Sequence, residues 1–397
     1  MKILLLENIH PLAKEKLETR GFEVDLLTYS PEKPELIKLL KKYQVVGIRS
    51  KTKMTKEVLM ESKQLLAIGC FCIGTNQVDL ETAKELGICV FNAPHSNTRS
   101  VAELVIAEVI ALSRQLCDRS MWAHSGKWEK SATGSNEIRG KTIGIVGYGH
   151  IGSQVSVLAE AVGLNVIFYD IVKKLPLGNA TAVDSLEELL SNADFVTLHV
   201  PELESTRDMI SSKELSMMRD KSYLINASRG SVVVIDDLVK SLKESHISGC
   251  AIDVFPSEPA SNKESFSSEL QGLNNVILTP HIGGSTEEAQ VSIGGEVSES
   301  ITRFIESASS LGSVNLPNVD LAQKANTKRM VNIHKNEPGI LSEINNIIST
   351  AGINIVGQSL STDETVGYLV MDVHNDDIDE LSVNIGGLSR SIVTRVV

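Results

Sequence analysis

Three polar side chains follow three successive apolar runs in the middle of the chain. Arg229 comes after the run ending at Asn226, Glu258 after the one ending at Val254, and His281 after the one ending at Thr279. In an open α/β sheet, ligands bind beyond the carboxyl ends of the strands, so groups placed there can converge on one site. A guanidinium can grip a carboxylate with two parallel hydrogen bonds. Histidine has the side chain whose ordinary pKa lies nearest neutrality, which suits His281 to take a proton from a hydroxyl. A neighbouring Glu258 would favour the charged imidazole and fix its tautomer. Singly, each residue also reads as a surface arginine, a solvated loop carboxylate or a turn histidine. Together they supply what oxidation of a 2-hydroxy acid needs beside a hydride acceptor: a carboxylate grip, a base and a group that tunes the base.

The acceptor has its own signature upstream. Residues 140–170 read GKTIGIVGYGHIGSQVSVLAEAVGLNVIFYD, an apolar run that stops at Gly147, passes through Gly149 and Gly152, and ends at Asp170. Gly147 permits the tight turn, Gly149 removes the side chain that would block a pyrophosphate, and Gly152 lets the next helix lie close to the sheet. The N-terminus of that helix, His150–Val162, then faces the anion. Asp170 can accept both ribose hydroxyls and would repel a 2′-phosphate, so NAD is expected in preference to NADP.

These motifs sit in a chain of 397 residues, long enough for two or three domains. There are 38 basic and 50 acidic residues, a net charge of -12, with no basic run to suggest a nucleic-acid partner. No apolar stretch reaches the length of a membrane span or of a signal-peptide core, so a cytoplasmic protein is expected. The five cysteines, Cys70, Cys72, Cys89, Cys117 and Cys250, form no redox pair or metal-ligand spacing. Free thiols are expected, and no metal.

The elements that must position the motifs follow from periodicity. Residues 1–91 alternate strand-like runs at 2–6, 22–27, 44–48, 65–69 and 88–91 with amphipathic stretches, which implies a parallel sheet with helices on its faces. A capping box of Ser100 with Glu103 predicts an apolar, buried helix from Val101 to Leu116. Strands then continue at 195–200, 222–226, 249–254 and 276–279. Ser285 with Glu288 predicts a second long helix to about Ile305. Residues 306–326, with four serines and few large apolar side chains, read as a linker. The tail is predicted as a βαββαβ module, with strands at 329–335, 353–360, 366–373 and 391–397. Its helices are placed at Pro338–Ala351 and from Asp377 to Ile385.

The segments GYGHIG, HVP, NASRG, AIDVFPSEP and LTPHIGGST resemble those of the D-2-hydroxyacid dehydrogenases, and IHKNEPGIL with GINIVGQ resembles an ACT module. The resemblance extends over essentially the whole chain. It implies an α/β fold made of a discontinuous flavodoxin-like substrate domain (1–97 and 285–316), a Rossmann NAD-binding domain (98–284) and a ferredoxin-like ACT domain (326–397). It assigns catalysis to Arg229, Glu258 and His281. The cofactor falls to Gly147, Gly149, His150, Ile151, Gly152, Asp170, His199, Val200, Pro201, Ala227, Ser228, Arg229, Asp253, His281, Ile282, Gly283 and Gly284. Arg49, Ser50, Asn97, Arg229 and Gln290 would face the substrate. Lys51 stands where many relatives have a second arginine, so it would meet a phosphate as a point charge.

The resemblance further implies NAD-dependent oxidation of 3-phosphoglycerate in L-serine synthesis, in a homotetramer. It also implies feedback by L-serine held at His334, Asn336 and Asn354, and activity on 2-oxoglutarate. Two alternatives stay open: a glyoxylate or hydroxypyruvate reductase, and a non-catalytic NAD-gated binding protein.

Overall fold

The computed structural model describes residues 1–259, 263–374 and 378–397. They form two compact units, one of residues 1–96 with 290–397 and one of residues 97–289.

In the first unit, five short strands form a parallel sheet: β1 (Lys2–Leu5), β2 (Glu23–Leu26), β3 (Val45–Ile48), β4 (Ala67–Cys70) and β5 (Cys89–Phe91). Their order is β2-β1-β3-β4-β5. Both faces are buried, as a parallel sheet requires. The side chains of β1 alternate accordingly. Ile3 and Leu5 join a core with Val297, Ile301 and Phe304 of the helix Glu287–Ser307, whereas Leu4 packs with Leu36, Leu40 and Ile68 on the other face.

The second unit holds a seven-stranded parallel sheet of β6 (Thr142–Val146), β7 (Asn165–Tyr169), β8 (Thr181–Ala182), β9 (Phe195–Leu198), β10 (Ser222–Asn226), β11 (Ile247–Ile252) and β12 (Val276–Leu278). Its order, β12-β11-β10-β9-β6-β7-β8, reverses direction at β6, next to the glycine turn. The helix Thr98–Arg114 buries Val101, Val105 and Val109 against Ile143 and Ile145 on one face.

The tail belongs to the first unit. It forms an antiparallel sheet of β13 (Lys328–Lys335), β14 (Ile355–Thr362), β15 (Val366–Val373) and β16 (Ser391–Val396), in the order β14-β15-β13-β16. Helices Ile340–Thr350 and Ile378–Gly386 cover one face. The other face packs Val331, Ile333, Val366, Tyr368 and Val370 against Val297, Ile301 and Phe304. Asp377, where the sequence places the start of the second helix, lies outside the described residues.

Several boundaries differ from the sequence reading, each for a local reason. The helix predicted from Val101 begins at Thr98, because the Ser100 hydroxyl bonds Thr286 Oγ1 at 2.8 Å and Glu103 pairs with Arg99 at 2.6 Å, which leaves no capping box. Nor is it buried all round, since Glu103, Ala107, Ile110 and Arg114 form an exposed line. The long helix takes its cap from Thr286, whose hydroxyl accepts from the Ala289 N–H at 3.1 Å, and not from Ser285. Pro338 precedes its helix, which starts at Ile340 after Gly339.

The stretch read as a linker is largely structural. The Asn315 side chain accepts from the Val90 N–H and donates to the Ile88 carbonyl, Ser313 bridges Phe91, and Ser309, Ser310, Leu316 and Val319 are buried. Hydrogen bonds to the edge of β5 do there what apolar side chains usually do. Among the described residues, no helix is long and apolar enough to cross a membrane.

Candidate active site

The turn between β6 and the helix His150–Ala161 is built by contact. Gly147 has a φ of 91°, and a Cβ there would stand 2.5 Å from the His199 carbonyl oxygen. A Cβ on Gly152 would run into the Gly147 carbonyl. At Gly149, in contrast, nothing lies within 4 Å of the Cβ position, and no side chain caps the helix that follows. The backbone is thus open to an anion where the helix dipole favours one. Nearby, His199 bonds Thr197 through Nε2 at 3.0 Å, while its buried Nδ1 has no partner among the described residues, and burial holds its pKa down to about 3. An open glycine cradle and an orphaned polar atom fit a dinucleotide.

Asp170, at the end of β7, does more than its place suggests. One oxygen accepts from the Tyr148 N–H and the other from the Val172 N–H, both at 2.8 Å. Tyr148 in turn stacks on Phe168, with ring centroids 3.7 Å apart. Asp170 therefore ties the glycine turn to its neighbouring strand, and each carboxylate oxygen keeps a further lone pair for a ligand.

Three strand ends supply Arg229, Glu258 and His281. After β10, the Asn226 side chain accepts from the Ser228 N–H at 3.1 Å and donates to the Arg229 carbonyl at 3.0 Å, which closes the Arg229 loop. Gly230 then presses on the Phe255–Pro256 backbone so closely that no Cβ fits. That approach brings the Arg229 and Glu258 loops together. One Glu258 oxygen accepts from the Phe255 N–H at 3.1 Å, and the other lies 2.9 Å from His281 Nδ1.

Asp253, after β11, secures the His281 loop. Its buried carboxylate accepts from the Thr279 hydroxyl at 2.6 Å and from the Ile282 and Gly283 N–H groups at 2.8 Å, and its carbonyl accepts the His281 N–H at 2.8 Å. His281 is held there with a φ of 53°. The Asn226 and Asp253 clamps escape sequence reasoning because their roles lie in the backbone they hold. The one signal is a short polar side chain at the end of an apolar strand.

The electrostatics of the pair follow from this geometry. The hydrogen bond to Glu258 raises the His281 pKa above 6.5; burial opposes the rise, the Glu258 and Asp253 charges add to it, and Arg229 works against it. Burial alone would push the Glu258 carboxyl up. The hydrogen bonds from His281 and the Phe255 N–H, with the charges of His281 and Arg229, outweigh it and hold the group below 4.5. Such a pair can keep an imidazole in one tautomer, accept a proton at Nε2 and stabilise the imidazolium that results.

The remaining residues divide between the units. Asn97 belongs with Arg229 and His281 in the second unit, and its buried Oδ1 has no partner among the described residues. Ile282, Gly283 and Gly284 follow His281, with Ala227 and Ser228 beside Arg229, and Val200 and Pro201 after His199. Ile151 sits half-buried in the first turn after Gly149, next to the exposed His150. Arg49, Ser50 and Gln290 lie in the first unit. So do the tail residues. His334 is buried, its Nδ1 2.9 Å from the Asn332 side-chain oxygen; Asn336 is exposed and donates to the Asp363 carbonyl at 2.7 Å; Asn354 is exposed.

The chain is similar to known proteins along its whole length. Residues 106–283 match the family described as D-isomer specific 2-hydroxyacid dehydrogenase, NAD binding domain, and residues 331–387 match the AHAS small subunit-like ACT domain. The D-3-phosphoglycerate dehydrogenase of Dictyostelium discoideum is 51% identical over 397 residues, covering 100% of this chain and 97% of the relative. The enzyme of that name from Escherichia coli is 48% identical, over 95% of this chain and 92% of its own. Among solved structures, the D-lactate dehydrogenase of Aquifex aeolicus complexed with NAD and lactic acid is 28% identical, with a TM-score of 0.66 over 77% of this chain and 95% of its own.

Proposed function

The chain belongs to the D-3-phosphoglycerate dehydrogenases, NAD-dependent oxidoreductases of the D-isomer specific 2-hydroxyacid dehydrogenase family, and on that premise we propose that it oxidises 3-phosphoglycerate to 3-phosphohydroxypyruvate through Arg229, Glu258 and His281. The observation that carries this reading is the 2.9 Å contact between Glu258 and His281 on loops fixed by Gly230 and Asp253.

The Gly147–Gly152 turn and Asp170 would hold NAD, which would supply the acceptor for the hydride leaving C2 of the substrate. Arg229 grips the substrate carboxylate and so orients the C2 hydroxyl. His281 Nε2 takes the hydroxyl proton while Nδ1 stays bonded to Glu258, whose carboxylate offsets the charge the ring acquires. Asp253 holds the His281 backbone still during the transfer. Arg49 and Lys51 meet the phosphate.

L-serine is the effector we assign to the tail. An ACT-type sheet with Asn336 and Asn354 exposed beyond strand ends supports it. Assembly into a homo-oligomer is supported by Leu116, Met121 and Trp128, which are 56%, 62% and 86% exposed within one short stretch.

The test is steady-state turnover of the purified protein with NAD and 3-phosphoglycerate, and in reverse with glyoxylate, hydroxypyruvate and 2-oxoglutarate, each with and without L-serine. Preference for the phosphorylated acid, and inhibition by serine that Asn354→Ala weakens about tenfold, is the expected result. A preference for unphosphorylated acids would overturn the substrate, and unchanged inhibition in the variant would remove serine from the tail.

A further inference from the structure

The loop that follows β3 reads Arg49-Ser50-Lys51-Thr52, and what shapes it is a carboxylate from another strand end. Glu7 lies two residues beyond β1, which pairs directly with β3, so its side chain starts beside the loop. Glu7 has a φ of 59° and is only 8% exposed. Its Oε1 accepts from the Arg49 N–H at 3.0 Å and from the Thr52 N–H at 2.8 Å, and its Oε2 accepts from the Lys51 N–H at 2.9 Å. On the other side, Gln77, 3% exposed, donates from Nε2 to the Arg49 carbonyl at 2.8 Å. The Thr52 hydroxyl is bonded to Ser30 at 2.8 Å. Both peptide groups of Arg49 are thereby fixed, while Ser50, Lys51 and Lys53 remain exposed.

Successive backbone N–H groups that converge on one point form a ready-made anion site. Here that site is filled from within, by a negative charge that belongs to the chain. We infer that Glu7, with Gln77, is the positioning residue for Arg49: it occupies the amide nest of the 49–52 loop, so that the anionic substrate is held by the Arg49 and Lys51 side chains and not by the loop backbone. The inference rests on the assignment of Arg49 to the substrate. It assigns the loop a specificity for side-chain contacts, since a substrate phosphate entering the nest would meet the Glu7 carboxylate.

Glu7→Gln puts an NH2 group against N–H donors and leaves one oxygen for three of them. The full-length enzyme is assayed for KM and kcat with 3-phosphoglycerate and for NADH affinity by fluorescence. Glu7→Gln is expected to raise KM about tenfold or more while kcat stays within about threefold and NADH affinity is unchanged. Gln77→Met, close to Gln in volume, is expected to give the same KM signature and serves if Glu7→Gln does not fold. In the double variant with Arg49→Ala, the Glu7 change should add much less than its effect alone, only what acts through Lys51, whereas a merely structural change would add in full. Wild-type KM in both positioning variants, or full additivity, overturns the inference while leaving Arg49 at the substrate. A wild-type KM in Arg49→Ala alone overturns the substrate assignment and the inference together.

Discussion

Asp253 and Glu108 are two buried carboxyl groups of the same unit, and they differ in their donors. Asp253 accepts from Thr279, Ile282 and Gly283, whereas neither Glu108 oxygen has a hydrogen-bond partner among the described residues. Burial, reinforced by the Asp253 charge, pushes the Glu108 carboxyl up to about 8. Its folded state therefore binds the proton more tightly than the unfolded chain does. The stability this provides is complete below the ordinary value of 4.5 and is lost as pH rises through about 8. Glu108→Gln should flatten that loss. Thermal melting at pH 6 and pH 9 checks it: the drop in Tm between the two is expected to be smaller in the variant by roughly 2 °C or more.

The His281–Glu258 pair sets the acid limb of the activity profile. The base must be neutral in the free enzyme, and Glu258 raises its pKa, so kcat/KM should climb with pH through a midpoint above 6.5. In Glu258→Gln the midpoint moves to lower pH and maximal turnover falls, because the imidazolium loses its counter-charge. His281→Ala should lose roughly 10² to 10⁴ in kcat with NADH affinity retained. A Glu258→Gln profile that coincides with wild type would place the titration elsewhere.

Asp170 combines two tasks that substitution can separate. Asp170→Asn keeps an acceptor for one of the two N–H groups and removes the charge, so the preference for NAD over NADP should fall while the glycine turn largely survives. Asp170→Ala removes both acceptors and should also weaken NAD binding by about tenfold. Ratios of kcat/KM for the two cofactors, with direct NADH titration, distinguish the effects.

Arg329 and Asp372 form a two-point ion pair of 2.7 and 2.8 Å with both side chains wholly buried. Removing one partner leaves an uncompensated buried charge, so Asp372→Asn should cost about 3–5 kcal/mol. Replacing both, as Arg329→Met with Asp372→Leu, should recover most of the loss except what Arg329 contributes through its bond to the Ser307 carbonyl. Urea unfolding of the wild type and of both variants measures it.

All the strands but the two-residue, exposed β8 are legible in the sequence, because they depend on period and run length, which a buried parallel sheet writes as plain apolar segments. Caps are less so. Ser100 has the right spacing for one and spends its hydroxyl on Thr286, a partner 186 positions away. Residues 306–319 mislead for the opposite reason: their serines and asparagines look solvated, yet Asn315 completes the hydrogen bonding of β5 from within the core. Arg229, Glu258 and His281 stand out by type and place. Glu7 and Asn226 do not, and Asp253 is named for the cofactor and not for the loop it holds, since an acceptor aimed at backbone amides leaves no pattern in side-chain spacing.

The last turn of the helix Glu287–Ser307 ends on donors from the tail sheet. Arg395 donates to the Phe304 carbonyl at 2.6 Å, with its guanidinium 4.5 Å from the centre of the Phe304 ring, Arg329 donates to Ser307 at 2.8 Å, and the Tyr368 hydroxyl donates to Ala308 at 3.0 Å. A helix end left without such partners is costly when buried. The tail is therefore not an exchangeable cartridge. A chimera that grafts another amino-acid sensor onto this enzyme would inherit three stranded carbonyls unless the graft carries its own two arginines and tyrosine in register, and a shortened enzyme would need its helix end redesigned for water.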